Sequence, residues 1–388
     1  MSKSLRALVN VEDYRERAQS KLPQMIFDFY AGGADDQLTL VDNVKSFQRI
    51  QLRPKVLIDV SSHCNENSTN CQTKVLNSST TIAFPCIIAP TALHRLAHKE
   101  HGELATVRAA VACSTVMIVS TTASIRIEQI ADEHRRQIEI NYPLSTSELW
   151  YQMYVLKNRD YSRKLIERAE KAGYRALVLT VDHCELGNRE MDVHNNFTLP
   201  DDIQPANLID ESTIDDFGKS YRRTMIDPAL CWQDIQWIRS ITSLPLIVKG
   251  IIHPDDARQA VQFGVQGIVV SNHGGRLLDT CLSTIDALTD VVRAVRNENS
   301  EIDVYVDGGV RRGTDILKAV ALGAKAVLVG RPVLWGLAVE GEQGVENVLG
   351  ILRKEFRLAM MLCGCRTVND IIKNDLLVPR NLLNQSKL

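Results

Sequence analysis

The richest chemistry in the sequence lies in Ser271-Asn272-His273-Gly274-Gly275-Arg276. An imidazole followed, across two glycines, by a guanidinium can hold both groups over one pocket. The imidazole can take a proton from carbon or oxygen, and the guanidinium can clamp a carboxylate through two parallel hydrogen bonds. A histidine capping the next helix is the competing reading, and the nearby Arg276 weighs against it. Lys249 closes the apolar run Ile247-Val248, where an ammonium is costly unless it meets an anion or forms a Schiff base. Asp182, after Leu179-Thr180-Val181, can orient His273 and stabilise its charged form.

A second constellation points to phosphate. Asp307-Gly308-Gly309-Val310-Arg311-Arg312-Gly313 and Gly330-Arg331 each follow an apolar run. Glycines let backbone N–H groups close on phosphate oxygens, and arginines add charge-assisted bonds. Without a GxxxxGK[ST] sequence, nucleotide hydrolysis is not indicated. His94, His98 and His101 have helical spacing but no matching carboxylate or cysteine partners, so no metal is expected.

These groups need a scaffold that brings distant segments to one place. Short apolar runs recur at Cys86 to Ala89, Val116 to Val119, Leu149 to Tyr154, Ala176 to Val181, Pro245 to Val248, Gly267 to Val270, Asp303 to Val306 and Ala326 to Val329. Runs of four to six such residues read as parallel strands buried on both faces. Between most of them lie helical patterns such as Tyr161 to Ala172 and Pro254 to Phe263, the latter opening Pro-Asp-Asp as a first turn should. Polar residues follow all eight runs: Pro90-Thr91, Ser120-Thr121, Gln152 with Tyr154, Thr180 with Asp182, Lys249, Ser271 with His273, Asp307 with Gly308, and Gly330-Arg331. That pattern predicts a closed (β/α)₈ TIM barrel, whose site draws on every strand end, over an open sheet with one switch point.

The chain is expected to form one unit. Residues 1–80 form a helical cap with a turn at Gly32-Gly33, 81–365 the barrel, and 366–388 a tail. Residues 183–230 read as a long irregular lid after the fourth strand. Residues 132–148 read as an extended polar connection, either an idle surface loop or a contact with a neighbouring subunit. A formal charge of -2 and the absence of a Lys/Arg run argue against nucleic acid or an anionic membrane. Nine dispersed cysteines read as free thiols in a reducing compartment. Neither a signal peptide nor a membrane-spanning run is expected, and Ser386-Lys387-Leu388 reads as an address for the peroxisomal import receptor.

Across nearly its whole length the sequence resembles the FMN-dependent 2-hydroxy acid oxidases and dehydrogenases. The resemblance rests on Tyr30-Ala31-Gly32-Gly33-Ala34-Asp35-Asp36-Gln37, Ala89-Pro90-Thr91-Ala92, Gln152-Met153-Tyr154, Leu179-Thr180-Val181-Asp182 and Leu246-Ile247-Val248-Lys249-Gly250. The His273, Asp307 and Gly330-Arg331-Pro332 segments complete it.

The resemblance implies roles. Pro90, Thr91, Ala92, Ser120, Gln152, Thr180 and Ser271 would contact the flavin, with Lys249 at its N1/C2 carbonyl edge. Asp307, Gly309, Arg311, Gly330 and Arg331 would hold ribityl and phosphate. His273 would be the base paired with Asp182, Arg189 and Arg276 would hold the carboxylate, and Tyr154 would stand near the hydroxyl. The implied reaction takes an (S)-2-hydroxy acid to its 2-oxo acid, with O₂ reduced to peroxide. His273 could form a carbanion or assist hydride transfer. A homotetramer is also implied.

The sequence departs from the family in places that bear on the substrate. Phe29 replaces a tyrosine found in many relatives, and Thr122 replaces the tryptophan of glycolate-specific ones. Both changes predict a wider, less polar pocket suited to medium or long acids, as in the peroxisomal long-chain oxidases. Asp182-His183-Cys184 stands where the family often reads Asp-Thr-Pro. Two alternatives stand beside the oxidase: a flavin enzyme that passes electrons to a carrier, and a catalytically silent FMN-binding barrel.

Overall fold

The computed structural model describes residues 7–64, 69–76, 79–208, 225–298, 300 and 302–378. Eight parallel strands close into a barrel: β3 (Cys86–Ile88), β4 (Met117–Val119), β5 (Leu149–Met153), β6 (Leu177–Thr180), β7 (Leu246–Ile251), β8 (Gly267–Val270), β9 (Asp303–Asp307) and β10 (Ala326–Val329), with β10 pairing back to β3. All eight apolar runs of the sequence become strands. The main differences are that Tyr154 lies beyond β5 and that β7 continues past Lys249 through a register shift to Ile251.

Strand alternation explains how the barrel builds a site. Ile87, Ile118, Trp150, Val178, Ile247, Val269, Tyr305 and Leu328 share one buried cluster inside the barrel. Leu149, Tyr151, Met153, Leu177, Leu179 and Val248 belong instead to the outer cluster packed under the helices. Successive side chains on a strand point to opposite faces. Two residues beyond each inner residue therefore lies another inward position: Ala89, Ser120, Gln152, Thr180, Lys249, Ser271, Asp307 and Gly330. Seven of the eight were read as site residues from sequence, and the barrel's inner layering places all eight at its C-terminal end.

The N-terminal region holds more structure than one helical stretch and a turn. Three helices, α1 (Val11–Lys21), α2 (Gln24–Ala31) and α3 (Leu38–Gln48), precede an antiparallel hairpin of β1 (Thr73–Val75) and β2 (Thr80–Ile82). Val75, Leu76 and Ile82 join the inner cluster, and the Leu76 backbone N–H donates to the Tyr305 hydroxyl at 3.0 Å. The hairpin thus plugs the end of the barrel opposite the site. Asn10 caps α1 through a reciprocal box with Asp13, which fixes where that helix starts.

Two further expectations are corrected. Residues 132–140 are not loop: helix Ile127–Ile140 runs through them, burying Ile127, Ile130, Ala131 and Gln137 on one face. Its mixed charges form i,i+3 pairs such as Arg136 with Glu133, so the polarity belongs to a helix surface. The region after β6 carries a short helix, Glu190–His194, while residues 209–224 lie outside the described residues. The long helix Arg331–Leu362 breaks at Glu340 and Gly341, where Gly341 takes φ +60°, and a short helix, Val368–Lys373, follows it. Among the described residues no helix is long and apolar enough to cross a membrane.

Candidate active site

One cleft opens at the C-terminal end of the barrel, taking in about 1470 Å³ of space not filled by atoms, the open solvent at its mouth included. It is lined from every strand end, from α2 and from the connection after β6. Of the site residues read from sequence, all but Asp182 and Ser271 line it, and both of those hydrogen-bond side chains that do.

His273 and Asp182 form a bonded pair at the cleft. Nδ1 of His273 lies 2.9 Å from Oδ1 of Asp182, and the His273 backbone N–H donates to Oγ of Ser271 at 3.0 Å. Burial pushes the imidazole pKa below its usual value, with Asp182 opposing that pull. Burial also works against the Asp182 charge, but His273 and Lys249 outweigh it and hold the carboxyl below the usual range. The result is a neutral imidazole facing a fixed carboxylate, the arrangement of a poised general base.

Backbone geometry makes this contact possible. His273, Gly274 and Gly275 take φ values of +57°, +65° and +73°, a left-handed run that glycine tolerates and histidine does not favour. Gly250 sits at φ +117°, and a Cβ there would fall 2.6 Å from Cβ of Asp182. Only glycine at 250 lets strand β7 pass this close to the carboxylate. The role of Gly250 was not read from sequence, though it follows Lys249 directly.

On the cleft floor, Nζ of Lys249 donates to Oγ of Ser271 at 2.9 Å and pairs with Oδ2 of Asp307 at 3.3 Å. Burial lowers its pKa, but Asp307 and Asp182 more than restore the charge. A Schiff-base lysine would need the opposite balance, so Lys249 stands as a fixed buried cation. Beside it, Gln152 donates to Thr180 Oγ1 at 3.0 Å and accepts from Ser120 Oγ at 3.2 Å. Ser120 also lies 3.0 Å from the Thr122 hydroxyl.

Arg311 and Arg331 share the far end. Arg331 donates to three backbone carbonyls, those of Tyr30 (2.8 Å), Gly32 (2.9 Å) and Gly274 (3.0 Å), so it ties α2 to the His273 loop. Burial, then the charge of Arg311, pull its pKa down to about 9. Arg311 is also lowered by burial and makes one side-chain bond, to the carbonyl of Val310 at 2.8 Å. Neither guanidinium forms an ion pair among the described residues. Two half-buried like charges in one cleft are costly until an anion joins them.

Toward the mouth, Arg276 donates through Nη1 to the carbonyls of Phe29 (2.8 Å) and Gly32 (3.0 Å) and lies 5.4 Å from the Phe29 ring centroid. Arg189 approaches the same ring at 6.0 Å and pairs with Asp192 at 3.4 Å. Leu156, Leu186, Leu208, Met225 and Ile226 give this end an apolar wall. Tyr154 packs against His183, whose ring reaches on toward His273.

The three spaced histidines do not share a helix. His94 opens a 3-10 turn and is buried, bonding Thr91 Oγ1 at 2.6 Å and Thr106 Oγ1 at 2.9 Å. His94 therefore braces the Pro90-Thr91 strand end from behind, a task that helical counting obscured.

Residues 18–378 match the family described as FMN-dependent dehydrogenase. The chain is 44% identical over 391 residues to human 2-hydroxyacid oxidase 1, covering 98% of this chain and 99% of that protein. It is 45% identical over 370 residues to the peroxisomal (S)-2-hydroxyacid oxidase GLO4 of Arabidopsis thaliana, covering 95% and 96%. Among solved structures, mandelate oxidase superposes with a TM-score of 0.83 at 38% identity, covering 95% of this chain and 98% of that one. The match spans the cap that carries Phe29, all eight strand ends and both arginine loops, and on that basis the chain belongs to the FMN-dependent dehydrogenase family.

Proposed function

We propose that the protein oxidises (S)-2-hydroxy acids to 2-oxo acids with FMN, using O₂ as electron acceptor and releasing H₂O₂. The observation that carries this reading is the 2.9 Å contact of His273 with Asp182 in the same cleft as a buried lysine and two unneutralised arginines.

The donor set fits FMN. Arg311, Arg331 and the glycines at 309 and 330 form a cationic, backbone-rich end suited to a phosphate. Asp307 Oδ1 is buried with no hydrogen-bond partner among the described residues and could accept from a ribityl hydroxyl. Gln152, Thr180 and Ser120 would offer amide and hydroxyl groups to the flavin, and Lys249 would offer it a cation. Pro90, Thr91 and Ala92 form the facing wall. Bound FMN would supply the two-electron redox chemistry between the substrate and O₂.

The chain's own residues do the rest. Arg276 and Arg189 hold the carboxylate, which orients carbon 2 toward His273. Tyr154 bonds the 2-hydroxyl. His273 accepts the proton that leaves as the alcohol becomes a ketone, and Asp182 stabilises the imidazolium that results. Phe29, Thr122 and the apolar wall favour medium or long substituents. The similarity to relatives named peroxisomal supports delivery to peroxisomes, and assembly as a homotetramer accompanies the family reading. Ser386-Lys387-Leu388 lies outside the described residues. A panel from glycolate to 2-hydroxypalmitate, read by peroxide release against dye reduction, tests the reading. Peroxide in step with substrate, rising with chain length, is expected. Dye reduction without peroxide identifies a dehydrogenase instead.

A further inference from the structure

One ring in the cleft has no task in this scheme. His183 follows Asp182 and lines the cleft, its centroid 5.1 Å from that of Tyr154 and 5.8 Å from that of His273, tilted 54° to each. Its Nδ1 is buried and has no hydrogen-bond partner among the described residues. A nitrogen that has left water and gained nothing carries an uncompensated desolvation cost. A group in the cleft that bonds it would remove that cost. Leu156, Leu186, Met225 and Ile226, which line the same cleft, are apolar and do not supply this chemistry, and Arg189 is a cation.

Burial and the charge of His273 draw the His183 pKa down to about 4, so at neutral pH the ring is uncharged. It then offers one donor and one acceptor nitrogen. An uncharged imidazole is a poor clamp for a carboxylate but a good partner for a hydroxyl or carbonyl. A ring that touches both the base working at carbon 2 and the tyrosine assigned to the 2-hydroxyl lies beside the next atom of the substrate. The sequence departs here from the Asp-Thr-Pro pattern, and imidazole reaches further than a threonine hydroxyl.

We propose that His183 is a substrate-selecting residue that hydrogen-bonds an uncharged oxygen on carbon 3 of the 2-hydroxy acid. The cleft thereby discriminates a hydroxyl from a methyl at that carbon, upstream of the apolar wall that receives a longer tail. This rests on the oxidase reading above.

The test uses the full-length FMN-loaded protein and two near-isosteric acids, (S)-glycerate and (S)-2-hydroxybutanoate. It compares the native chain with His183→Phe and His183→Gln. Anaerobic flavin reduction gives the ratio of the two rates. Titration with hydroxypyruvate and 2-oxobutanoate, followed by the flavin absorption shift, gives the ratio of two dissociation constants without turnover.

His183→Phe should lower both glycerate-type preferences about tenfold, the loss of one hydrogen bond of about 1.4 kcal/mol, while His183→Gln keeps them within about threefold. His183→Leu, smaller than the native ring, gives the same reading should the Phe variant fail to hold flavin. Unchanged ratios overturn the proposal. So does an equal loss on both acids, which would make the ring a spacer between Tyr154 and His273. A native enzyme whose flavin is reduced by no 2-hydroxy acid overturns the oxidase reading and this proposal with it.

Discussion

Replacing Asp182 by Asn keeps the size of the side chain and removes the charge that faces His273. Two point charges 2.9 Å apart attract by about 6 kcal/mol at an effective dielectric of 20, which is a ceiling. A hydrogen bond to a charged group contributes about 1.5–3 kcal/mol net, which is the floor. At 1.36 kcal/mol per tenfold in rate, the floor alone slows proton transfer to His273 about 10- to 150-fold. The pH dependence follows from the same contact. Burial already lowers the His273 pKa and Asp182 partly restores it, so the Asp182→Asn change lowers it further. The acid limb of the rate profile should therefore move to lower pH while the plateau falls. Stopped-flow flavin reduction between pH 5 and 9 reads both. A variant with native plateau rate, or with its acid limb moved upward in pH, refutes the pairing.

Arg311→Leu should weaken FMN binding about 10- to 100-fold by fluorescence titration, yet leave apo-protein stability within about 1 kcal/mol, because burial already disfavours that charge. Loss of stability with undiminished FMN affinity would contradict the phosphate assignment. Thr122→Trp should lower kcat/KM for a ten-carbon acid at least about tenfold relative to glycolate, since Thr122 lines the cleft and an indole there occupies substrate space. Half-buried His134 and His183 both have pKa values drawn to about 4 from the usual 6.5, chiefly by desolvation. The unfolded chain takes up those protons as pH falls from about 6.5 toward 4 and the folded chain does not, so stability declines across that window. Each contributes a loss of about 2 kcal/mol at pH 5. Denaturant midpoints should drop between pH 7 and 5, and His134→Gln should flatten the drop by about one such share.

The barrel was legible because its signal is repeated. Eight buried runs, each ending in polar residues, leave few other topologies, and the two-residue alternation that aligns Trp150 with Gln152 and Ile247 with Lys249 is local to each strand. The strand-end members of the candidate site were legible for the same reason, whereas the roles of Phe29, Arg189 and Arg276 came from the family resemblance. What sequence did not show is what depends on three-dimensional closeness. Gly250 matters because Asp182 crosses it. Arg331 is anchored by the carbonyls of Tyr30, Gly32 and Gly274, from segments roughly 300 and 57 residues away. The polar stretch at 132–140 was misread because surface charge alone does not distinguish a loop from a helix whose apolar face is narrow. His94 was obscured by its spacing with His98 and His101, which a 3-10 turn does not honour.

The most direct test of the central claim is to mix the purified FMN-loaded protein with (S)-2-hydroxyoctanoate under anaerobic conditions and follow the flavin absorption. Bleaching, followed by one equivalent of peroxide when O₂ is admitted, is the predicted result. Flavin that stays oxidised with this acid and with every shorter homologue down to glycolate would contradict it.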